Sequence, residues 1–488
     1  MTSAAGPGRL APRLGLLDEK GCTYLHERTL DLLASVGVRF ASARARALLR
    51  AAGAEVDDET TVVKFPAALV EKAIADAAGR EVLLASRDGE HDAVLDGSTT
   101  YVGHDGMGAM TLDHRSGERR HSTDQDLRAA MIVADALDEV GFCWYVATPN
   151  DAPPAVQSLQ GIATMLQGSS KHPQGDLSDP RLVPYALEVG AAASPGGVWD
   201  PERPVFSIVY CPVSPLQHDE HALDAAMLLA EQGVPIVVYS LALAGATAPV
   251  TLAGTIVQTN AEILSGLVAL QLAAPGSPFV YVGNSSIMDM RSCTYGACGP
   301  EAVLFNIALT ELGHSYGFPV LSGGFSSDAK EICMQSGYEG GSMAMMSMVA
   351  RPELLVGIGM LDSAGFLFLP KMVLDAEVVR QCRRVARGID LDDRHVMLDV
   401  SARVGPGGHF LGAKETRVFL REGEHELPEV FVRGAYDTWR ESGVPEVERA
   451  TKIVEEILAT HEVAPLPDGG AERMRSAVAT AADALGGD

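Results

Sequence analysis

Between residues 278 and 363 the chain alternates short β-branched runs with longer stretches of helical periodicity. The runs, PFVYVGNSS at 278–286, PVLSGGFSS at 319–327 and LLVGIGML at 354–361, are apolar on consecutive rather than alternate residues. Parallel strands buried on both faces carry that signature. The first two runs end in small polar residues: Asn284, Ser285 and Ser286, then Ser322, Ser326 and Ser327. Alternating β/α folds place their chemistry at such carboxyl ends. Further strand candidates precede this block at 140–148, 172–178, 204–213 and 235–245, and one follows at 366–375 (FLFLPKMVLD). The least apolar is 172–178 (HPQGDLS). Helical patterns such as 222–233 and 300–317 lie between them, and Gly233, Gly276 and Gly317 follow helix ends. Eight strand candidates between 140 and 375 predict a closed TIM (β/α)8 barrel, an α/β fold whose mouth carries the function.

The flanks read differently. Residues 1–15 form a Gly/Pro-containing lead expected to be disordered, and 16–122 an N-terminal α+β accessory region. In that region Tyr24, Leu25, Leu32, Leu33 and Val36 predict one helical face, and the pieces EVLLASRDG, AVLDGSTTYVG and AMTLDHRSGE predict hairpins. Thr123 caps a helix that opens the barrel region, 123–400. A helical C-terminal extension, 401–463, ends in an amphipathic helix near 445–460, and a polar Gly/Ala-rich tail covers 464–488.

Composition narrows the partners. The 488 residues carry a net charge of −26, which repels phosphate backbones and anionic membrane surfaces, so neither nucleic acid nor membrane is expected. The apolar stretch 251–272 is interrupted by Gln258, Asn260 and Glu262 and argues against a membrane span. Seven scattered cysteines without a CxxC pair are expected as buried free thiols, and no apolar leader follows Arg9 and Arg13. A cytoplasmic location follows. No His-x-Cys pair or close cysteine spacing offers zinc ligands, so no metal is expected. The glycines at 103, 106 and 108 sit among hairpins rather than at a strand-to-helix turn, and a dinucleotide site is not expected.

Several ordered stretches resemble the trimethylamine methyltransferase family. They are Ser116-Gly117-Glu118-Arg119-Arg120-His121-Ser122-Thr123, Met288-Asp289-Met290-Arg291-Ser292, and Ser322-Gly323-Gly324 with Asp328-Ala329-Lys330. Gln335-Ser336-Gly337-Tyr338-Glu339 and Gly405-Pro406-Gly407-Gly408-His409-Phe410-Leu411 complete the set. The resemblance implies a TIM-barrel methyltransferase that moves a methyl group from a quaternary or other methylated amine to the Co(I) of a separate corrinoid protein. It implies no tightly bound cofactor, the corrinoid (cobalamin) being supplied by the partner. Founding members use pyrrolysine; this chain contains only the common residues and resembles the non-pyrrolysine, glycine betaine methyltransferase-like branch. Homo-oligomerisation is compatible with such a barrel, although no residue pattern specifies it.

A quaternary ammonium leaves as a neutral amine and needs no acid, so the enzyme's task is positioning. Aromatic faces hold such cations at about 0.5–2 kcal/mol each. Tyr145, Tyr210, Tyr239 and Phe325 lie near strand ends and are expected to line the substrate site, although each taken alone is as readily a packing residue. Asn284, Asp328, Gln335 and Asp362, at or past strand ends, are expected to hold polar parts of the substrate. Some relatives place an arginine just before the Ser-Gly-Gly turn; here that position is Leu321, and Arg291 is the nearest substitute unless it pairs with Asp289 or Glu301. No catalytic side chain is specified. Met343, Met345, Met346 and Met348 are expected in helical packing, and His172 and His409 as structural residues. Two other readings remain open: a barrel lyase or hydrolase, and a non-catalytic methylamine-binding protein.

Overall fold

A computed structural model describes residues 8–486. Among them, eight parallel strands form one sheet: β1 (Tyr101–His104), β2 (Cys143–Trp144), β3 (Pro173–Asp176), β4 (Ser207–Tyr210), β5 (Ile236–Ser240), β6 (Phe279–Gly283), β7 (Val320–Gly323) and β8 (Leu354–Ile358). β8 pairs with β1, and β1 returns to the start of β2 through the parallel bridge Val102–Val140 and the hydrogen bond from Gly141 N to the Val102 carbonyl, 2.8 Å. The sheet therefore closes on itself. Each strand is followed by a helix: α1 (Asp124–Ala136), α2 (Gln157–Gly168), α3 (Val183–Ala193), α4 (Glu220–Ala230), α5 (Leu252–Ala273), α6 (Pro300–Ser315), α7 (Met334–Ala350) and α8 (Leu369–Arg387). This is the (β/α)8 barrel that the apolar runs predict.

Seven strands fall where expected, including the polar-looking β3. The eighth does not. The run 366–375 contributes only the two-residue strand Phe366–Leu367 before Pro370, in the first turn of α8, commits the chain to a helix. The missing strand is β1, which lies within 16–122 and takes the place of a hairpin arm. Gly103 and Gly106 explain its disguise: a Cβ at Gly103 would come within 2.7 Å of the Phe142 ring and one at Gly106 within 2.9 Å of Trp144. Glycine here admits two large rings to the barrel interior. The other expected hairpins form, Val82–Leu84 with Ala93–Leu95 and Met110–Leu112 with Arg119–His121.

Thr123 caps α1 with a reciprocal capping box to Asp126. Gly233 and Gly317 adopt φ of 80° and 77° after helices, as expected. The N-terminal helix Glu19–Ser35 buries Leu25, Thr29 and Leu33 and leaves Tyr24 and Val36 exposed, so its core face is rotated from the expected one. It packs on α5 together with Ala67–Ala77. α5 is long and apolar enough to cross a membrane by length and composition, and 83% of its apolar window is buried.

The lead differs from expectation: Gly8–Leu10 pairs antiparallel with Ile389–Leu391, while residues 1–7 lie outside the described residues. The tail also differs. Gly470–Leu485 is a helix that buries Met474, Ala477, Ala481 and Leu485 against α3, with 487–488 outside the described residues. Helix Glu446–Thr460 forms as expected and packs on α8 and α1.

Candidate active site

The carboxyl ends of the strands enclose a cavity of about 320 Å³. Alternation along each strand decides what enters it. Trp144 of β2, Asp176 of β3 and Tyr239 of β5 point inward, joined by Cys211 and Asn284 just past β4 and β6. Asp105 and Met107 follow β1, Ser326 follows β7, and Tyr295 reaches over from the hairpin Ser286–Asp289/Thr294–Gly296 at the mouth. Met107 is half exposed, marking where the cup opens to solvent.

The ring edges meet: Trp144 and Tyr239 are T-shaped with centroids 5.6 Å apart, and the Tyr239 hydroxyl accepts from the Asn284 amide. Asp105 is buried, accepting from Gly106 N and Ser326 Oγ, each at 2.9 Å, and burial raises its pKa against those hydrogen bonds. Asp176 has no hydrogen-bond or ion-pair partner among the described residues. Burial alone lifts its pKa from 3.8 to about 6. Burial likewise drives the Tyr239 and Tyr295 phenols upward and the Cys211 thiol to about 12, so all three are neutral at physiological pH. The cup thus offers aromatic faces and carboxylates and lacks an activated nucleophile among the residues that line it.

Of the nine expected substrate-binding residues, the structure brings Tyr239 and Asn284 into the cavity wall. Tyr145 and Tyr210 are one residue out of phase and face the helices. The Tyr145 ring fills the space that a Cβ on Gly161 of α2 would need, and its hydroxyl donates to the Gln157 carbonyl at 3.1 Å. Tyr210 stacks on His218 and hydrogen-bonds its Nδ1 at 2.5 Å. Phe325 is wholly buried behind the wall, where its carbonyl accepts from Lys371 Nζ at 3.0 Å. Arg291 is 91% exposed and paired with Asp289 at 3.0 Å; it does not replace an arginine at Leu321, itself buried in β7. Gln335 is exposed and donates to Glu339 at 2.8 Å.

Asp328 and Asp362 act one layer out, as braces of the rim. Asp328 accepts from Ala297 N at 3.0 Å, from Cys298 N at 3.3 Å and from Ser363 Oγ, tying together the loops after β6, β7 and β8. Asp362, Ser363 and Ala364 have φ of 57°, 55° and 66°, a left-handed run that L residues adopt at a cost of about 1–2 kcal/mol each. Asp362 N to the Ala329 carbonyl, Ser363 N to the Ser327 carbonyl and the Lys330–Asp362 ion pair hold it.

Sequence spacing does not reveal that Cys298, Asp328 and Glu339 bring potential metal-ligand atoms within 4.8 Å of one another. Burial raises the Cys298 pKa, holding it as a thiol. Glu339 is engaged by Ser327 Oγ at 2.8 Å and Asp328 N at 2.9 Å, so the group reads as loop bracing. The structural reading of His172 agrees with its bonds to the Ala85 carbonyl and Ser207 Oγ. His409 is exposed. Met343 and Met348 are buried, Met343 at the cavity wall, whereas Met346 is exposed. Three of the seven cysteines, Cys143, Cys298 and Cys382, are buried; the expectation of buried thiols fails for the exposed Cys293 and Cys333 and for Cys211, which sits within the barrel mouth with its accessible surface on the cavity.

The strand tips of this (β/α)8 barrel thus gather aromatic rings and two carboxylates around one cavity. Residues 2–486 match the family described as trimethylamine methyltransferase (MTTB), and the chain belongs to that family of methyltransferases. A trimethylamine methyltransferase of Desulfitobacterium hafniense is 30% identical over 464 residues, covering 95% of this chain and 93% of the relative. A glycine betaine methyltransferase from another strain of that species is 32% identical over 462 residues, covering 93% and 94%. The solved monomethylamine methyltransferase of Methanosarcina barkeri shares the fold, with a TM-score of 0.52 at 12% identity over 91% of this chain and 88% of that one.

Proposed function

We propose that this methyltransferase takes a methyl group from a quaternary or other methylated amine bound in the cup and delivers it to the Co(I) of a separate corrinoid protein. One observation carries the reading: Trp144, Tyr239 and Tyr295 surround a small cavity together with Asp105 and Asp176. Ring faces and carboxylates attract an N-methylated cation, at about 0.5–2 kcal/mol per ring where water is excluded. With its phenols and thiol neutral and its carboxylates engaged or facing the cation, the cup supplies no attacking group of its own.

A corrinoid carried by its own protein would supply the strong nucleophile for the methyl carbon, the amine leaving with the electron pair of the broken C–N bond. This chain's residues do the rest. The rings fix the ammonium so that one methyl faces the opening beside Met107, the braced rim keeps the cavity's shape, and no proton need move. The cup favours the charged donor over the neutral amine left behind, so the loss of positive charge also promotes product release. A cytoplasmic setting, where a reduced cobalt carrier persists, belongs to the same proposal.

The test combines the purified protein, a Co(I) corrinoid protein and a panel of methylated amines, followed by cobalt absorbance and analysis of the demethylated amine. Donor-dependent absorbance change with stoichiometric demethylation is expected. Binding of amines without either change would overturn catalysis in favour of a binding protein.

A further inference from the structure

We propose that the cup selects donors with a net positive charge and discriminates against zwitterionic betaines, with Asp105 and Asp176 as the specificity-determining residues. This rests on the methyl-donor reading above and narrows its substrate class to ammonium compounds without an acid group.

The charge on the wall has one sign. Among the described residues lining the cavity, the two carboxylates are present without any lysine, arginine or histidine. The nearby cations are committed elsewhere. Lys371 pairs with Asp375 at 2.6 Å behind the wall, Lys330 with Asp362 at 3.0 Å on the rim, and Arg291 with Asp289 on the surface. His104, beneath Trp144, is fully buried and kept neutral, its pKa lowered to about 3 chiefly by burial.

Several donors that could solvate an acid group are engaged as well. Gly106 N and Ser326 Oγ serve Asp105, the Asn284 amide serves Tyr239, and Ser363 Oγ serves Asp328. The Tyr239 and Tyr295 hydroxyls and the Trp144 indole N–H remain, neutral donors sufficient for a hydroxyl tail but without the charge that would balance a carboxylate. In glycine betaine the carboxylate lies only two or three bonds from the nitrogen. In a cavity of about 320 Å³ it would share low-dielectric space with two wall carboxylates and meet no countercharge. Rejection then comes from the repulsive element as much as from the attractive one.

Calorimetric titration of the full-length protein at pH 7.5 with tetramethylammonium, choline and glycine betaine tests this. The two net cations should bind at least about tenfold more tightly than the betaine, the discrimination expected for an unpaired carboxylate beside like charge. Asp176→Asn should narrow that ratio, both by weakening the cations and by relieving the betaine carboxylate, while Asp176→Glu preserves it. Asp105→Asn provides a second, independent narrowing should the first variant fold poorly. A ratio near one, or one favouring glycine betaine, overturns the inference. If betaine is preferred and also drives the cobalt change, the selectivity inference falls while the methyl-transfer reading stands. If none of the three binds and no donor changes the cobalt spectrum, both fall.

Discussion

Replacing Asp176 with asparagine removes one negative charge from the wall while nearly preserving the side chain's shape. In the folded protein this carboxyl is held at about 6 rather than 3.8, because burial disfavours its ionised form. That shift corresponds to at most about 3 kcal/mol of penalty on the charged state, and since the group faces the cavity we expect about half of it to be realised. The sign follows from the direction. Protonation of Asp176 suits the fold, so its contribution is fully present below pH 3.8 and is lost as pH rises through about 6. Asp176→Asn should therefore raise the stability by about 1–2 kcal/mol at pH 8, or roughly 1–2 °C in Tm for a chain of this size, and leave it unchanged near pH 3.5. Binding should move the other way. A bound cation favours the ionised carboxyl, so wild-type affinity for choline should climb by up to about tenfold between pH 5 and pH 7, as the fraction ionised rises through a pKa near 6. The Tyr145 phenol and Cys211 thiol, which feel the charge of Asp176, are raised and stay neutral across this range, while Asp105, also raised, leaves the variant a shallower slope. Differential scanning calorimetry and titration calorimetry across pH 3.5–8 read both effects. A variant less stable at pH 8, or one with an unaltered pH profile of binding, would refute the assignment of Asp176 as an unpaired wall charge.

Further outcomes follow from the same geometry. Trp144→Leu removes the largest ring face and its edge contact with Tyr239, so cation affinity should fall by up to about 30-fold, the equivalent of roughly 2 kcal/mol; unchanged titration curves would remove Trp144 from the cup. Tyr210→Phe breaks the hydrogen bond to His218 and should lower stability by about 1 kcal/mol in urea denaturation without altering amine affinity. Arg291→Ala should alter neither affinity nor turnover, and a loss of either would reinstate it at the site. Asp328→Asn replaces charge-assisted acceptance at the rim by neutral bonds, so kcat/KM should drop about tenfold while tetramethylammonium affinity changes less than about twofold; equal losses in both would place Asp328 against the substrate instead.

The barrel was legible because buried parallel strands announce themselves as continuous apolar runs. Even HPQGDLS held its place in the rhythm, although its inward residues are Gln174 and Asp176. β1 escaped because its glycines, which make room for Phe142 and Trp144, read as turn chemistry. FLFLPKMVLD misled for the opposite reason: an apolar run opening a helix looks like a strand until Pro370 is weighed as a helix-start residue. The site was half legible for a single reason, the parity of strand side chains. Tyr239 has the parity that faces the cavity, whereas Tyr145 and Tyr210 sit one residue from Trp144 and from Val209 and Cys211, which do line it. Tyr295 belongs to a hairpin folded back over the mouth, a long-range placement that no local pattern carries. The terminal helix was hidden by its Gly/Ala-rich composition, although Met474, Ala477, Ala481 and Leu485 recur at helical spacing.

The central claim is that a positive, N-methylated head group is what the cup recognises. The most direct measurement compares choline with 3,3-dimethylbutan-1-ol, its uncharged isostere in which carbon replaces nitrogen, by calorimetric titration of the full-length protein at pH 7.5. The rings and carboxylates predict that choline binds at least about tenfold more tightly, since cation–π attraction and the wall charges vanish for the alcohol. Equal affinities, or tighter binding of the alcohol, would show that the cavity reads shape alone and would contradict the account.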